Sequence, residues 1–171
     1  MNFEFSADQM QLKDIARKFL EKENAVKRAR NVLEGEESFD ENLWQQIIEM
    51  GFTATAIPEE YGGLGLGYLE LCVIAEELGR SLAPTPFSSS VYLATEAILN
   101  SEDDSLKQNY LPSLANGEKI GSFAHSESNT SPTESNIQCN VSGNALSGKK
   151  IAVVDGDISN FFVVSAKNGS N

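Results

Sequence analysis

The sequence is 171 residues long, 40% apolar and 22% charged, with a formal net charge of −12 from 25 acidic and 13 basic side chains. The apolar share is enough for a core and argues against a disordered chain, while the acidic balance argues against partners that need a basic face, nucleic acid and anionic membrane surfaces. The length allows one domain, or one domain and part of a second.

Ser6 and Gln9 form the pattern of a capping box, in which each side chain serves the other residue's backbone N–H. Behind it Leu12, Ile15, Ala16, Phe19 and Leu20 follow helical spacing and predict a first helix. Glu21 to Glu37 is charged and weakly periodic and reads as a solvated continuation and loop. Asp40 is a candidate N-cap for a second helix with Leu43, Trp44, Ile47 and Ile48 as its stripe and Gly51 at its end. A third helix is expected from about Tyr68 to Leu78, apolar nearly all round and therefore central in a bundle, with Gly79 as its stop. A fourth runs from about Ser88 to Asn100. A fifth starts near Asp103 and Asp104 and ends at Gly117, with Pro112 expected to kink or split it.

From Ile120 the period changes. Short β-favouring runs, Gly121–Ala124, Ile137–Val141, Ala145–Val154 and Phe161–Ala166, alternate with turn chemistry at Ser142-Gly143-Asn144 and Asp155-Gly156-Asp157. The expected fold class is α+β: an all-α helical bundle over residues 1–118, then the first strands of an antiparallel β domain over 119–171. The chain reads as unfinished at Asn171, since three or four strands leave open edges and little core.

The two cysteines, Cys72 and Cys139, do not make a disulfide framework, and Cys72 reads as a small buried hydrophobe within the third helix. The N-terminus has neither a basic start nor an apolar signal core. No apolar run reaches the ~18 residues of a membrane span. A cytoplasmic protein is the expectation. His125, the single histidine, has no Asp or Cys at ligand spacing, so no metal site is expected. The Asn-x-Ser patterns at Asn129, Asn140 and Asn168 are chance matches. Lys27, Arg28 and Arg30 form a small basic cluster that reads as a solvated face, with a phosphate contact as the alternative.

The stretch IPEEYGGLGLG, Ile57 to Gly67, holds four glycines in six residues. A dinucleotide fingerprint needs its glycines between a strand and a helix, and here the upstream element is a helix and two glutamates sit beside the loop. No Gly-Lys-Ser/Thr follows, which excludes a P-loop. The loop is read as a turn between helices.

IPEEYGGLGLG, AEELGRS, NYLPSLANGEKIGSFA and a strand pair around LSGKKIAVVDG resemble, in this order and spacing, the acyl-CoA dehydrogenases. The resemblance spans the chain from the first helix to Ala166. It implies a helical N-terminal domain, a central β domain and a C-terminal helical domain, the last absent from this sequence. It also implies FAD as cofactor, an acyl-CoA as substrate, assembly into homo- or hetero-oligomers, and an electron-transfer flavoprotein as partner where the subunit is active. The reaction needs a base on one side of the acyl chain and the flavin on the other. In most members that base lies in the C-terminal domain, so no catalytic residue is assigned here and the chain alone is expected to be inactive.

The resemblance also implies the flavin-facing positions. Phe123 and His125 fall where backbone groups approach the flavin's pyrimidine edge, and Ser126 stands for a threonine that bonds that edge. Glu127 matches the family pattern, and Ser128 replaces its proline. Ser131 and Pro132 replace a Gly-Ser pair, and Pro132 offers neither hydroxyl nor N–H. In the second segment the family's Trp-Ile-Thr-Asn is Ala152-Val153-Val154-Asp155. Ala152 has no ring to cover the flavin, and Val154, at the position facing N5, has no hydroxyl. The candidate cofactor residues are thus Phe123, His125, Ser126, Ser131 and Val154. At ~1 kcal/mol per hydrogen bond, the departures would weaken or abolish FAD binding. Two outcomes stand open: FAD retained through backbone groups, or a flavin-poor subunit that completes a hetero-oligomer.

Overall fold

Ser6 opens helix α1 (Ala7–Lys22) by the expected reciprocal cap, accepting from Gln9 N at 3.2 Å while Gln9 Oε1 accepts from Ser6 N at 2.9 Å. The structure, a computed structural model, describes residues 4–129 and 133–168. A second helix, α2 (Ala25–Glu34), forms where the sequence suggested a solvated continuation and loop. Half of its ten residues are apolar, yet only Ala25 is buried. What fixes it is Arg28, which donates to the Glu23 carbonyl and carboxylate and to both oxygens of Asp40. The basic cluster is therefore not simply a solvated face, because Arg28 ties α2 to the next helix.

Asp40 caps α3 (Glu41–Glu49) as expected, accepting from Leu43 N at 2.8 Å, and Gly51 ends it with a left-handed φ of 75°. Helix α4 (Tyr68–Arg80) runs through Gly79 instead of stopping there. Nor is it buried all round. Tyr68 and Leu69 are about 60% exposed, and Cys72 lies on the exposed side, contrary to its expected burial. Beside Val73 and Ile74, the side chains this helix fully buries include a charged one, Glu77. Arg17 of α1 holds it by two bonds at 2.7 and 3.0 Å, and Arg80 adds a third at 3.1 Å.

The expected fourth helix is mostly π-helical. Ser88–Thr95 has π geometry and passes into the short α5 (Glu96–Leu99). The widened turn is closed by Thr95, whose buried hydroxyl donates to the Ser90 carbonyl five residues back at 2.8 Å. Helix α6 (Asp104–Ala115), capped by Asp103, is unbroken at Pro112. The proline lies in the last turns, where only one carbonyl, that of Gln108, loses its donor.

Two apolar clusters result. The first joins α1, α3, α4 and the π-helix through Leu20, Leu43, Trp44, Ile47, Ile74 and Val91. Each fully buried side chain of this size contributes ~1.5–3 kcal/mol. Edge-on rings, Phe19 against Phe52 and Trp44 against Phe87, lock the layers. The second gathers Ile57, Ile98, Leu111 and Leu114, with Phe161 and Val163 packed on it, and so joins the helices to the β segment.

The β segment comprises β1 (Gly121–Ala124), β2 (Asn140–Ser142), β3 (Ala145–Ser147), β4 (Phe161–Val164) and β5 (Lys167–Asn168). The helical bundle followed by a β start is as expected, but strand direction is a correction. Among the described residues only the β2–β3 hairpin is antiparallel; β1 pairs with β4, and β2 with β5, in parallel. The chain from β1 to β4 makes an excursion long enough for the crossover that a parallel pair requires. The Ala145–Val154 run is strand only to Ser147: Gly148 follows with a φ of 152°, and Ala152 takes a positive φ further on. Among the described residues no helix is long and apolar enough to cross a membrane.

Candidate functional site

The glycine loop spends its own donors. Gly63 N, Leu64 N, Gly65 N and Leu66 N bond to the carbonyls of Pro58, Ala54, Ile57 and Thr55 at 2.9–3.1 Å. With these N–H groups committed inward, the loop has no cradle for a phosphate. Gly63 is required by close approach, since a Cβ there would lie 1.8 Å from the Ile57 carbonyl oxygen. The loop turns the chain, as expected.

The polar centre of the β segment lies just beyond β1. Lys150, whose side chain is only 8% exposed, spends its three ammonium donors on the His125 carbonyl at 3.0 Å, Glu127 Oε1 at 2.8 Å and Ser165 Oγ at 3.0 Å. Glu127 also accepts from Gln138 N at 2.5 Å and Cys139 N at 2.9 Å. The ammonium and these two N–H groups hold the Glu127 carboxyl down at about 2, the Lys150 hydrogen bond being the largest cause. Ile151 N donates to the Ser126 carbonyl at 2.8 Å. Segments 125–127 and 150–151 are thus clasped side by side.

The sequence-derived residues divide across this centre. Phe123 and His125, two apart, stack at 5.4 Å with 20° between ring planes. Ser126 joins the clasp through its carbonyl. Val154 lies apart from the stack: its carbonyl accepts from Ser122 Oγ at 2.6 Å, and its side chain is 49% exposed. Ser131 and Pro132 lie outside the described residues. Lys150 and Ser165, which hold the centre together, were missed by sequence reasoning. The one signal for Lys150 was its place in the quoted LSGKKIAVVDG motif, and Ser165 gave none.

The turn after Lys150 is fixed to the helical half. Asp155 Oδ2 accepts from Ser89 of the π-helix at 2.5 Å, and Asp157 accepts from Ser38. The Ser38 hydroxyl, with the backbone N–H groups of Asp157 and Ile158, holds the Asp157 carboxyl below its ordinary range. The π-helix therefore presents Ser89 to the turn that carries Val154.

Polar side-chain groups of the kind that the pyrimidine edge of a flavin would need remain unengaged beside the clasp. Among the described residues, the Ser126 hydroxyl and His125 Nε2 form no hydrogen bond, and both residues are only partly exposed. The Ala152–Val154 turn supplies backbone and apolar surface only. No group of three or more His, Cys, Asp or Glu that could hold a metal occurs among the described residues.

Comparison with known proteins agrees with this architecture. The acyl-CoA dehydrogenase N-terminal domain profile matches residues 6–118. The mitochondrial isovaleryl-CoA dehydrogenase of Arabidopsis thaliana is 32% identical over 171 residues, covering 95% of this chain and 41% of that protein. The chain therefore spans less than half of that relative's length. Butyryl-CoA dehydrogenase of Megasphaera elsdenii superposes with a TM-score of 0.81 at 25% identity, over 97% of this chain and 45% of that one. A chain of the ChsE4–ChsE5 complex of Mycobacterium tuberculosis superposes with a TM-score of 0.85 at 28% identity, over 100% of this chain and 47% of that one.

Proposed function

The chain belongs to the acyl-CoA dehydrogenase family, and from that premise we propose that it is part of an FAD-dependent enzyme that dehydrogenates an acyl-CoA thioester between its α and β carbons. The observation that carries this reading is the Glu127–Lys150 clasp, which sets the two candidate flavin-facing segments beside each other. FAD, when bound, supplies the hydride acceptor. The chain's own residues bind and orient: the Ser126 hydroxyl and His125 Nε2 offer donors to the pyrimidine edge, and the Phe123–His125 stack fixes the ring that carries one of them. Lys150 and Glu127 keep their segments from separating.

A second reading, a flavin-poor subunit of a hetero-oligomer, is favoured by one observation. The Ala152–Val154 turn offers neither an aromatic ring nor a side-chain hydroxyl, and the Val154 carbonyl is already engaged by Ser122. Similarity to a chain of the ChsE4–ChsE5 complex makes a second subunit type a reasonable partner. The test is anaerobic addition of short, branched and long acyl-CoA esters to the full-length protein. The first reading expects bound flavin that bleaches with at least one ester. Flavin that stays oxidised with every ester, or arrives only with a co-purified subunit, supports the second.

A further inference from the structure

The neighbours of His125 decide which ring nitrogen carries the proton. Nδ1 lies 2.8 Å from Ser165 Oγ. That oxygen already accepts from Lys150 Nζ at 3.0 Å. An ammonium accepts nothing, so the Ser165 hydroxyl proton cannot point back to Lys150. Among the described residues two acceptors lie within its reach: Nδ1 at 2.8 Å, and the His125 carbonyl at 3.5 Å. The longer contact lies well beyond the ~2.7–2.8 Å that O–H···O bonds prefer, and Lys150 already donates to that carbonyl at 3.0 Å. Nδ1 is thus the better-placed acceptor for this hydroxyl among the described residues. A nitrogen that accepts holds no proton of its own, so the neutral ring carries its proton on Nε2. Phe123 stacks on the ring and limits its rotation, and Nε2 has no hydrogen-bond partner among the described residues.

We propose that Lys150 and Ser165 are positioning residues that lock His125 as the Nε2–H tautomer, so that this N–H donates to an acceptor atom on the pyrimidine ring of a bound flavin. The choice of ligand rests on the flavoprotein reading above; the tautomer rests on the Lys150–Ser165–His125 geometry alone. The device relies on Lys150 being almost fully enclosed and on all three of its donors being committed. An exposed lysine would leave the serine hydroxyl free to rotate.

The test uses the full-length protein labelled with 15N at histidine, with and without FAD. His125→Gln spectra, by difference, isolate the His125 signals. The expected wild-type spectrum has an unprotonated Nδ1 and a protonated Nε2. Ser165→Ala should give a mixture of both tautomers, while Ser165→Thr, which keeps the hydroxyl, should restore the wild-type pattern. Saturation with FAD should move the Nε2 signal and leave Nδ1 unprotonated, and His125→Phe should weaken FAD binding about 5- to 10-fold, the loss of one donor. The wild-type spectrum decides the lock without any variant: a protonated Nδ1 overturns it, as does an unchanged tautomer ratio in a folded Ser165→Ala protein. Flavin bound by absorbance with an unmoved Nε2 overturns the donor role and leaves the flavoprotein reading standing. Failure to bind FAD overturns the ligand assignment together with that reading.

Discussion

Glu77 illustrates how a single residue can carry a helix pair. Its carboxylate is fully enclosed, and its fixed partners are the guanidinium groups of Arg17 and Arg80. Glu77→Gln would leave Arg17 partly unpaired, and should destabilise the fold by about 2–3 kcal/mol in denaturant titration, less than the ~3–5 kcal/mol of a fully buried pair because Arg17 is partly solvated. A change below experimental error would contradict this. Hydrogen bonding from Arg17 holds the Glu77 carboxyl below its ordinary range, and Lys150 does the same for Glu127, from 4.5 to about 2. A depressed carboxylate adds stability that is complete above the unfolded value and disappears as pH falls through the folded one. Stability should therefore drop between about pH 4.5 and 2, and Glu127→Gln, which has no proton to take up there, should show a shallower drop over that window; parallel curves would refute the assignment. At this scale the sequence was legible where a local pattern acts, as at Ser6, Asp40 and Gly51. It was silent where partners are far apart in the chain: Arg17 and Glu77 are 60 residues apart, and His125 and Ser165 are 40.

Elements were legible in proportion to their periodicity. The stripes of α1, α3 and α4 are dense enough to place each helix. By contrast, α2 depends on Arg28 and on neighbours it meets only after folding, so its own residues looked like loop. The π-helix could not be seen either, since eight residues make fewer than two wide turns, too few to show a period of their own. Its closure by Thr95 is testable. Thr95→Val keeps the shape but removes the donor from a buried carbonyl, and should cost about 1–2 kcal/mol; an unaltered melting midpoint would show that the hydroxyl is dispensable. Gly79 gives the opposite case. It lies within α4, is exposed, and an added Cβ would meet nothing within 4 Å. Gly79→Ala should stabilise the protein by about 0.5–1 kcal/mol through helix propensity alone, and loss of stability would mean that the glycine serves a contact on this face.

Across the whole molecule, stability is uneven. The helical half holds most of the enclosed apolar side chains, whereas within 133–149 only Cys139 is buried. The β2–β3 hairpin, with Leu146 half exposed, covers no core of its own. In hydrogen exchange on the 171-residue chain, its amides should exchange orders of magnitude faster than those at the α1–α4 contact; equal protection would overturn this picture. The sequence made the order of the two halves legible, because a helical period gives way to short β runs near Ile120. It did not make strand direction legible, since parallel or antiparallel pairing is set by where long connections return, not by residues within the strands. The central claim is that the clasped segments around Lys150 form one side of a flavin site. The most direct measurement is the flavin content of the full-length protein purified alone, as wild type and as Lys150→Met. The account predicts close to one FAD per wild-type chain and a large loss in a folded Lys150→Met protein. A wild-type protein without flavin, or equal flavin in both, would contradict it.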